Sequence, residues 1–156
     1  MTFAPNREVL KAVIDQVSVF LENRAGRLAG LCRSLGDAGI DMHALMVADT
    51  EEFGVVRIIC DTPNRAKDLL DEQGFSATVT GVVAVEIPDR PGGLADVLEA
   101  LDAKGISVEY AYCFVEPSGA AAVDIFKVDG PGADEAVGNA GFRSLAPAEL
   151  YAPDHT

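Results

Sequence analysis

The sequence has no tryptophan, only two histidines and three cysteines, and twelve basic residues against twenty-five acidic ones. Each shortage excludes something. With His43 and His155 as the sole imidazoles, a histidine-based triad or a multi-histidine metal site would lack parts. Cys32, Cys60 and Cys113 are odd in number and show no C-x-x-C spacing, which fits reduced thiols in core stretches better than a disulfide framework or a zinc site. The net charge of −13 repels phosphate backbones and anionic lipid surfaces, so neither nucleic acid nor membrane is an expected partner. No apolar run is long enough to span a bilayer, and residues 1–20 carry no charged-then-apolar leader pattern, from which a cytoplasmic location is expected. Acid pairs such as Glu51–Glu52 and Asp71–Glu72 read as solvated surface. No catalytic residue, metal ligand or cofactor is therefore assigned.

What is present is a duplication. An offset of 66 aligns Val19 with Val85, Arg24 with Arg90, Gly26 with Gly92, Leu28 with Leu94 and Gly39 with Gly105. After one inserted residue, an offset of 67 pairs Val56 with Val123, Ile58 with Ile125, Ala66 with Ala133 and Phe75 with Phe142. Val17, Val19 and Leu21, like Val83, Val85 and Ile87, alternate as a half-buried strand does. Leu28, Leu31, Cys32 and Leu35, and Leu94, Val97, Leu98 and Leu101, recur at helical spacing, and each run stops at a glycine, Gly39 or Gly105.

"IDMHALMVAD" with "VVRIICD", and "ISVEYAYCFV" with "AVDIFKV", read as strand pairs turning around Gly54 and Gly119. Tyr110 and Phe114 are assigned to one strand face and Tyr112 to the other, with packing their plainest use. "TPNRAKDLLDEQG" and "GPGADEAVGNAG" open on proline and close on glycine as second helices, and "FSATVT" and "FRSLAP" supply last strands. The fold class is α+β: two tandem ferredoxin-like βαββαβ domains, antiparallel sheets with helices on one face. Expected boundaries are an arm at 1–12, domains at 13–80 and 81–147, and a frayed tail at 148–156; Gly81 is the one visible break between the copies.

The turns "NRAGRL" and "DRPGGL" precede the first helix of each copy. Their plain reading is a helix start, with Asn23 and Asp89 at or beside the caps, Pro91 in the first turn and glycine fitting the bend. Their functional reading is that the glycine lets backbone approach a ligand, while unpaired N–H groups attract an anion such as a carboxylate. Neither G-x-G-x-x-G nor G-x-x-x-x-G-K-[ST] occurs, so a nucleotide is not supported.

"VFLENRAGRLAGLCRSLGDAGIDMHAL", "VEIPDRPGGLADVLEALDAKGISVEY" and "ADTEEFGVVRIICDTP" resemble ACT domains, and the order of the two copies resembles stand-alone tandem-ACT proteins. The resemblance covers about residues 14–146. It implies a non-catalytic sensor that binds a free amino acid or similar small metabolite where ACT domains meet and regulates amino-acid metabolism in trans. It also implies a homo-oligomer, such as a dimer, and a biosynthetic enzyme as partner. Carried onto this chain, the ligand residues are Asn23, Arg24, Ala25, Gly26, Arg27 and Leu28 in one loop and Asp89, Arg90, Pro91, Gly92, Gly93 and Leu94 in the other. Met42, His43, Val108 and Glu109 follow from the second strands. Loop N–H groups and Arg24 or Arg90 suit a carboxylate, and Asn23 or Asp89 an ammonium. Ala25 and Arg27 stand where the second copy has Pro91 and Gly93, so the loops are expected to bind unequally. The alternative is a ligand-independent regulatory or scaffolding subunit of a biosynthetic enzyme.

Overall fold

Val17, Val19 and Leu21 recur at period two and form strand β1 (Ile14–Glu22) in the computed structural model, which describes residues 13–49, 53–115 and 121–155. The expected arm at 1–12 and the turn at Gly119 lie outside those residues. The chain continues through α1 (Arg27–Asp37), β2 (Met42–Asp49), β3 (Phe53–Cys60), α2 (Pro63–Glu72) and β4 (Ser76–Pro88). Then come α3 (Gly93–Asp102), β5 (Ser107–Val115), β6 (Ala121–Asp129), α4 (Ala133–Asn139), β7 (Arg143–Ser144) and α5 (Pro147–Leu150). The described residues form two units: Asp15–Thr80 with 148–155, and Gly81–Pro147 with 13–14.

In the amino-terminal unit β3 lies between β2 and β1, antiparallel to both, with Val17 opposite Ile58 and Val19 opposite Val56. The first residues of β4 complete the sheet beside β1, where the Ser18 and Thr80 hydroxyls are 3.4 Å apart. One face of this sheet carries Val17, Val19, Leu21, Val56, Ile58 and Cys60, buried against Leu31 and Leu35 of α1 and Ala66 and Leu70 of α2. This apolar layer is the unit's main source of stability, at about 1.5–3 kcal/mol per large side chain removed from water.

The carboxy-terminal unit repeats the plan with strand order β7-β4-β6-β5, all antiparallel. Val85, Ile87 and Phe126 pack on Val97 and Leu101 of α3 and Ala133, Ala136 and Val137 of α4. Both units are thus ferredoxin-like βαββαβ folds.

Several sequence expectations are corrected. Gly54 is a ladder residue of β3, opposite Asp49 and Leu21, and is not the turn itself. Gly81 lies inside β4, which runs without a loop through the division between the two units at 80 and 81. The face that β6 turns to its helices is displaced by one residue. Val83 lies opposite Phe126 and Val85 opposite Asp124, so the counterpart of Ile58 is Phe126 and that of Val56 is Asp124, an offset of 68 rather than 67. Tyr110, Tyr112 and Phe114 all lie on one strand face, opposite Lys127, Ile125 and Val123, since residues two apart share a side. The helical stripes are only half buried: Leu31, Leu35, Val97 and Leu101 are in the core, but Leu28 and Leu94 are 39% and 44% exposed. Cys113 is exposed rather than in the core, while Cys60 is buried. Burial, with Asp61 and Asp154 nearby, pushes the Cys60 thiol up to about 12.

The tail is not frayed. Tyr151 is buried, and its hydroxyl accepts the Asp15 N–H at 3.0 Å. Ala152 donates its N–H to Asp61 Oδ1 at 2.7 Å and accepts from the Thr62 N–H at 2.6 Å. The Asp154 carboxylate takes the N–H groups of Asn64 and Arg65 at 2.8 and 3.2 Å, capping the start of α2 from outside it.

Candidate functional site

The two loops share one hydrogen-bond frame. Arg24 N–H bonds Glu22 O at 2.8 Å and Arg90 N–H bonds Pro88 O at 2.9 Å. Arg27 N–H returns to Arg24 O, and Gly93 N–H to Arg90 O. Gly26 and Gly92 are the N-cap residues, at φ +88° and +82°, left-handed values that favour glycine. The expectation that Asn23 and Asp89 sit at the caps, with Pro91 in the first turn, is corrected: the cap falls three residues after each of the former and one after the latter. Neither glycine has a capping side chain, and among the described residues neither helix start has a side-chain cap hydrogen bond. They carry the positive end of the helix dipole.

The charges around the frames differ. Arg24 pairs with Glu22 at 3.2 Å, both well exposed. Arg27, at the first helical position, lays its guanidinium over the Phe75 ring at 4.8 Å, and α1 has no acidic residue in its first turn. In the second loop Arg90 reaches Asp96 at 2.9 Å and Pro91 O at 3.3 Å, and Asp96 lies in the first turn of α3. Gly93 has a packing reason as well, because a Cβ there would lie 2.6 Å from Pro88 O. An arginine like Arg27 has no room at that point. The first loop is therefore the more electropositive of the two.

The second-strand residues do not join the loops within a unit. Met42 lies opposite Cys60, whereas Asp49, at the other end of β2, lies opposite Gly54, where β1 reaches its loop. Seven residues of strand separate those ends, about 24 Å at 3.4 Å per residue. Val108 is likewise opposite Val128, with Val115 opposite Ala122 near the Pro88 end. His43 Nε2 bonds Asp61 Oδ1 at 2.7 Å. The Ala152 N–H and then His43 hold the Asp61 carboxyl below its ordinary value. Asp41, His43 and Asp61 bring three donor atoms within 4.8 Å of one another, but Asp61 Oδ1 already serves both His43 and the C-terminal segment. Glu109 lies 3.5 Å from Lys127 Nζ.

Sequence reasoning missed Asp124. It is buried on the helix-facing side of β6, and desolvation raises its carboxyl, opposed by a hydrogen bond with the Cys113 thiol. A charged residue inside "AAVDIFKV" was the signal, obscured by the register of the repeat. Among the described residues no helix is long and apolar enough to cross a membrane.

Two βαββαβ units with glycine-capped loops between first strand and first helix define the ACT class. The chain matches the ACT domain pair family over residues 12–139 and belongs to it. A crystal structure of a Bacteroides thetaiotaomicron protein is similar at 32% identity, covering 89% of this chain and 96% of that one, with a TM-score of 0.84. The regulatory subunit of aspartate kinase from Thermus flavus shares the fold at 16% identity and TM-score 0.60, covering 81% of this chain and 92% of that one. The ligand-free regulatory subunit from Thermus thermophilus does so at 17% and 0.60, covering 83% and 95%. No match was found among the curated proteins.

Proposed function

We propose that this protein is a non-catalytic regulatory sensor that binds a free amino acid at an interface between ACT domains and passes that state to an amino-acid biosynthetic enzyme. The observation that carries the reading is the uncapped helix start behind Gly26, which offers N–H donors to a carboxylate. Aspartate kinase regulatory subunits with the same fold support a regulatory role and suggest an enzyme of that class as partner. Met42, His43, Val108 and Glu109 take part only across an interface: a neighbouring domain with its second strand running antiparallel would bring its strand start to the other's loop. A homodimer supplies such a neighbour. The ligand favours one assembly because it binds that assembly more tightly, which is the physical content of the regulation.

The loops contribute unequally. Asp96 already offsets the dipole of α3 and opposes an incoming carboxylate, whereas α1 has Arg27 at its start. Isothermal titration with each proteinogenic amino acid tests the reading. Binding of at least one is expected below millimolar concentration, weakened tenfold or more by Arg27→Glu, a change the helix start tolerates. Absence of binding by all of them overturns the sensor and favours the ligand-independent subunit.

A further inference from the structure

The two units build the same bulge and furnish it differently. In β2 the pairing steps from Met42 opposite Cys60 to Ala44 opposite Ile59, so His43 is the extra residue; in β5 Glu109 holds that place between Val108 and Tyr110. Asp41 O accepts the Asp61 N–H at 3.0 Å, which joins the end of β3 to the start of β2. His43 Nε2 and Asp61 Oδ1 are 2.7 Å apart, and one donor atom from each of Asp41, His43 and Asp61 lies within 4.8 Å of the others. In the carboxy-terminal unit the corresponding residues are Ser107, Glu109 and Asp129, and Glu109 faces the Lys127 ammonium at 3.5 Å. The bulge therefore forms with a hydroxyl and a paired glutamate, and the donor set of the first unit is an addition to what the fold requires.

One imidazole nitrogen with two carboxylate oxygens suits a divalent first-row transition ion such as Zn²⁺, whereas Mg²⁺ and Ca²⁺ prefer oxygen alone. A single histidine suffices where the other donors are carboxylates, and two carboxylates balance the charge of the ion. The neutral ring can carry its hydrogen on Nδ1, which leaves the Nε2 lone pair to the metal. Bonds of about 2.1 Å hold neighbouring ligand atoms roughly 3–3.5 Å apart, so the gap between Nε2 and Oδ1 opens by about half an ångström. Asp61 Oδ1 accepts the Ala152 N–H at 2.7 Å, an outer hydrogen bond of the kind that orients a ligating carboxylate. A carboxylate oxygen has two lone pairs, so Oδ1 keeps that bond while the ion replaces the His43 hydrogen. The His43 and Asp61 side chains are 31% and 28% exposed, within reach of an ion from solvent.

We propose that Asp41, His43 and Asp61 bind one divalent transition-metal ion, Zn²⁺ by preference, with water in the remaining coordination positions. The ion ties the start of β2 to the end of β3 and, through Asp61, to the C-terminal segment. The site lies at the opposite end of β2 from the Gly26 loop of its own unit.

Zinc chloride, titrated calorimetrically into the chelator-treated full chain, tests it. No amino acid is present, so the outcome does not depend on the sensor reading. One Zn²⁺ per chain should bind at micromolar concentration, with Mg²⁺ and Ca²⁺ at least a hundredfold weaker. His43→Ala and Asp41→Asn should each weaken Zn²⁺ at least tenfold, and the rise in melting temperature that Zn²⁺ produces should shrink in step. His155→Ala removes the chain's other imidazole and should change neither. If His43→Ala fails to fold by circular dichroism, Asp41→Asn carries the test. Undiminished Zn²⁺ binding in a folded His43→Ala or in Asp41→Asn would overturn the site, as would its loss in His155→Ala. Equal affinity for Mg²⁺ would overturn the role of the imidazole, and no Zn²⁺ binding at millimolar concentration would overturn the proposal entirely.

Discussion

Gly93 and Gly36 show how differently one residue type is constrained. A Cβ at 93 would press on Pro88 O at 2.6 Å and on Ile87 Cγ2 at 3.1 Å, so Gly93→Ala forces helix and strand apart. The expected loss is about 1–3 kcal/mol, the usual scale of overpacking. At 36, inside α1, nothing lies within 4 Å of the added carbon, and Gly36→Ala should raise stability by about 0.5–1 kcal/mol. Urea titration of both variants measures the contrast. Asp124 has a pH signature. Its carboxyl is raised in the folded chain, chiefly by desolvation, so between the ordinary carboxylate value and its own the folded state holds more protons than the unfolded one. Stability from this group is therefore present in acid and lost as pH rises through that window. Asp124→Val installs the residue type found at the counterpart, Val56, and should be more stable than the parent at neutral pH, with the advantage vanishing in acid. Urea midpoints from pH 4 to 8 would show it, and a constant difference across that range would contradict the desolvation account.

At the scale of elements, the C-terminal segment acts as a clasp on the first unit. Asp154→Ala removes the acceptor for two N–H groups at the start of α2 and should cost about 1 kcal/mol, like loss of an N-cap, read as a lower midpoint in thermal melting. Asp61 has the opposite sign to Asp124. Its carboxyl is lowered by the Ala152 N–H first and by His43 next, so the stability it lends is present above the ordinary carboxylate value and lost as pH falls through its own. Amide exchange at Ala152, corrected for intrinsic rate, should accelerate in acid ahead of exchange in β3. The strands and helices of both copies were legible because period-two and period-3.6 patterns follow from which side faces the core. The register of β6 was not. "AAVDIFKV" is apolar on both faces, so alternation alone leaves a one-residue slip undecided, and only its pairing with β4 chooses Phe126 over Ile125 for the helix side. The clasp was equally hidden, since Tyr151 and Asp154 have partners 89 to 136 residues earlier in a chain whose local pattern says only that no helix continues.

For the whole molecule, the question is what meets the exposed apolar residues. In the amino-terminal unit Leu28 is 39% exposed on α1, and Leu45 and Val47 are 40% and 47% exposed on β2, a strand paired on one side to β3. A strand edge that is unpaired among the described residues and lies beside apolar side chains is a surface that a second copy can extend. In the proposed homodimer, Leu45→Asp combined with Val47→Asp is expected to shift light-scattering mass to that of a monomer at micromolar concentration, with the far-ultraviolet circular dichroism unchanged. A mass unaffected by the pair would remove this edge from the proposed homodimer.

The sequence by itself determined the duplication, the βαββαβ order of each copy, the acidic character and the two glycine loops, since these depend on residues close together in the chain. Tertiary structure alone decided which side of β6 is buried and that the tail returns to α2. It also separated the second-strand residues from the loops by the length of a strand. Those outcomes depend on pairing and packing between distant segments, where many local patterns are compatible and burial selects one.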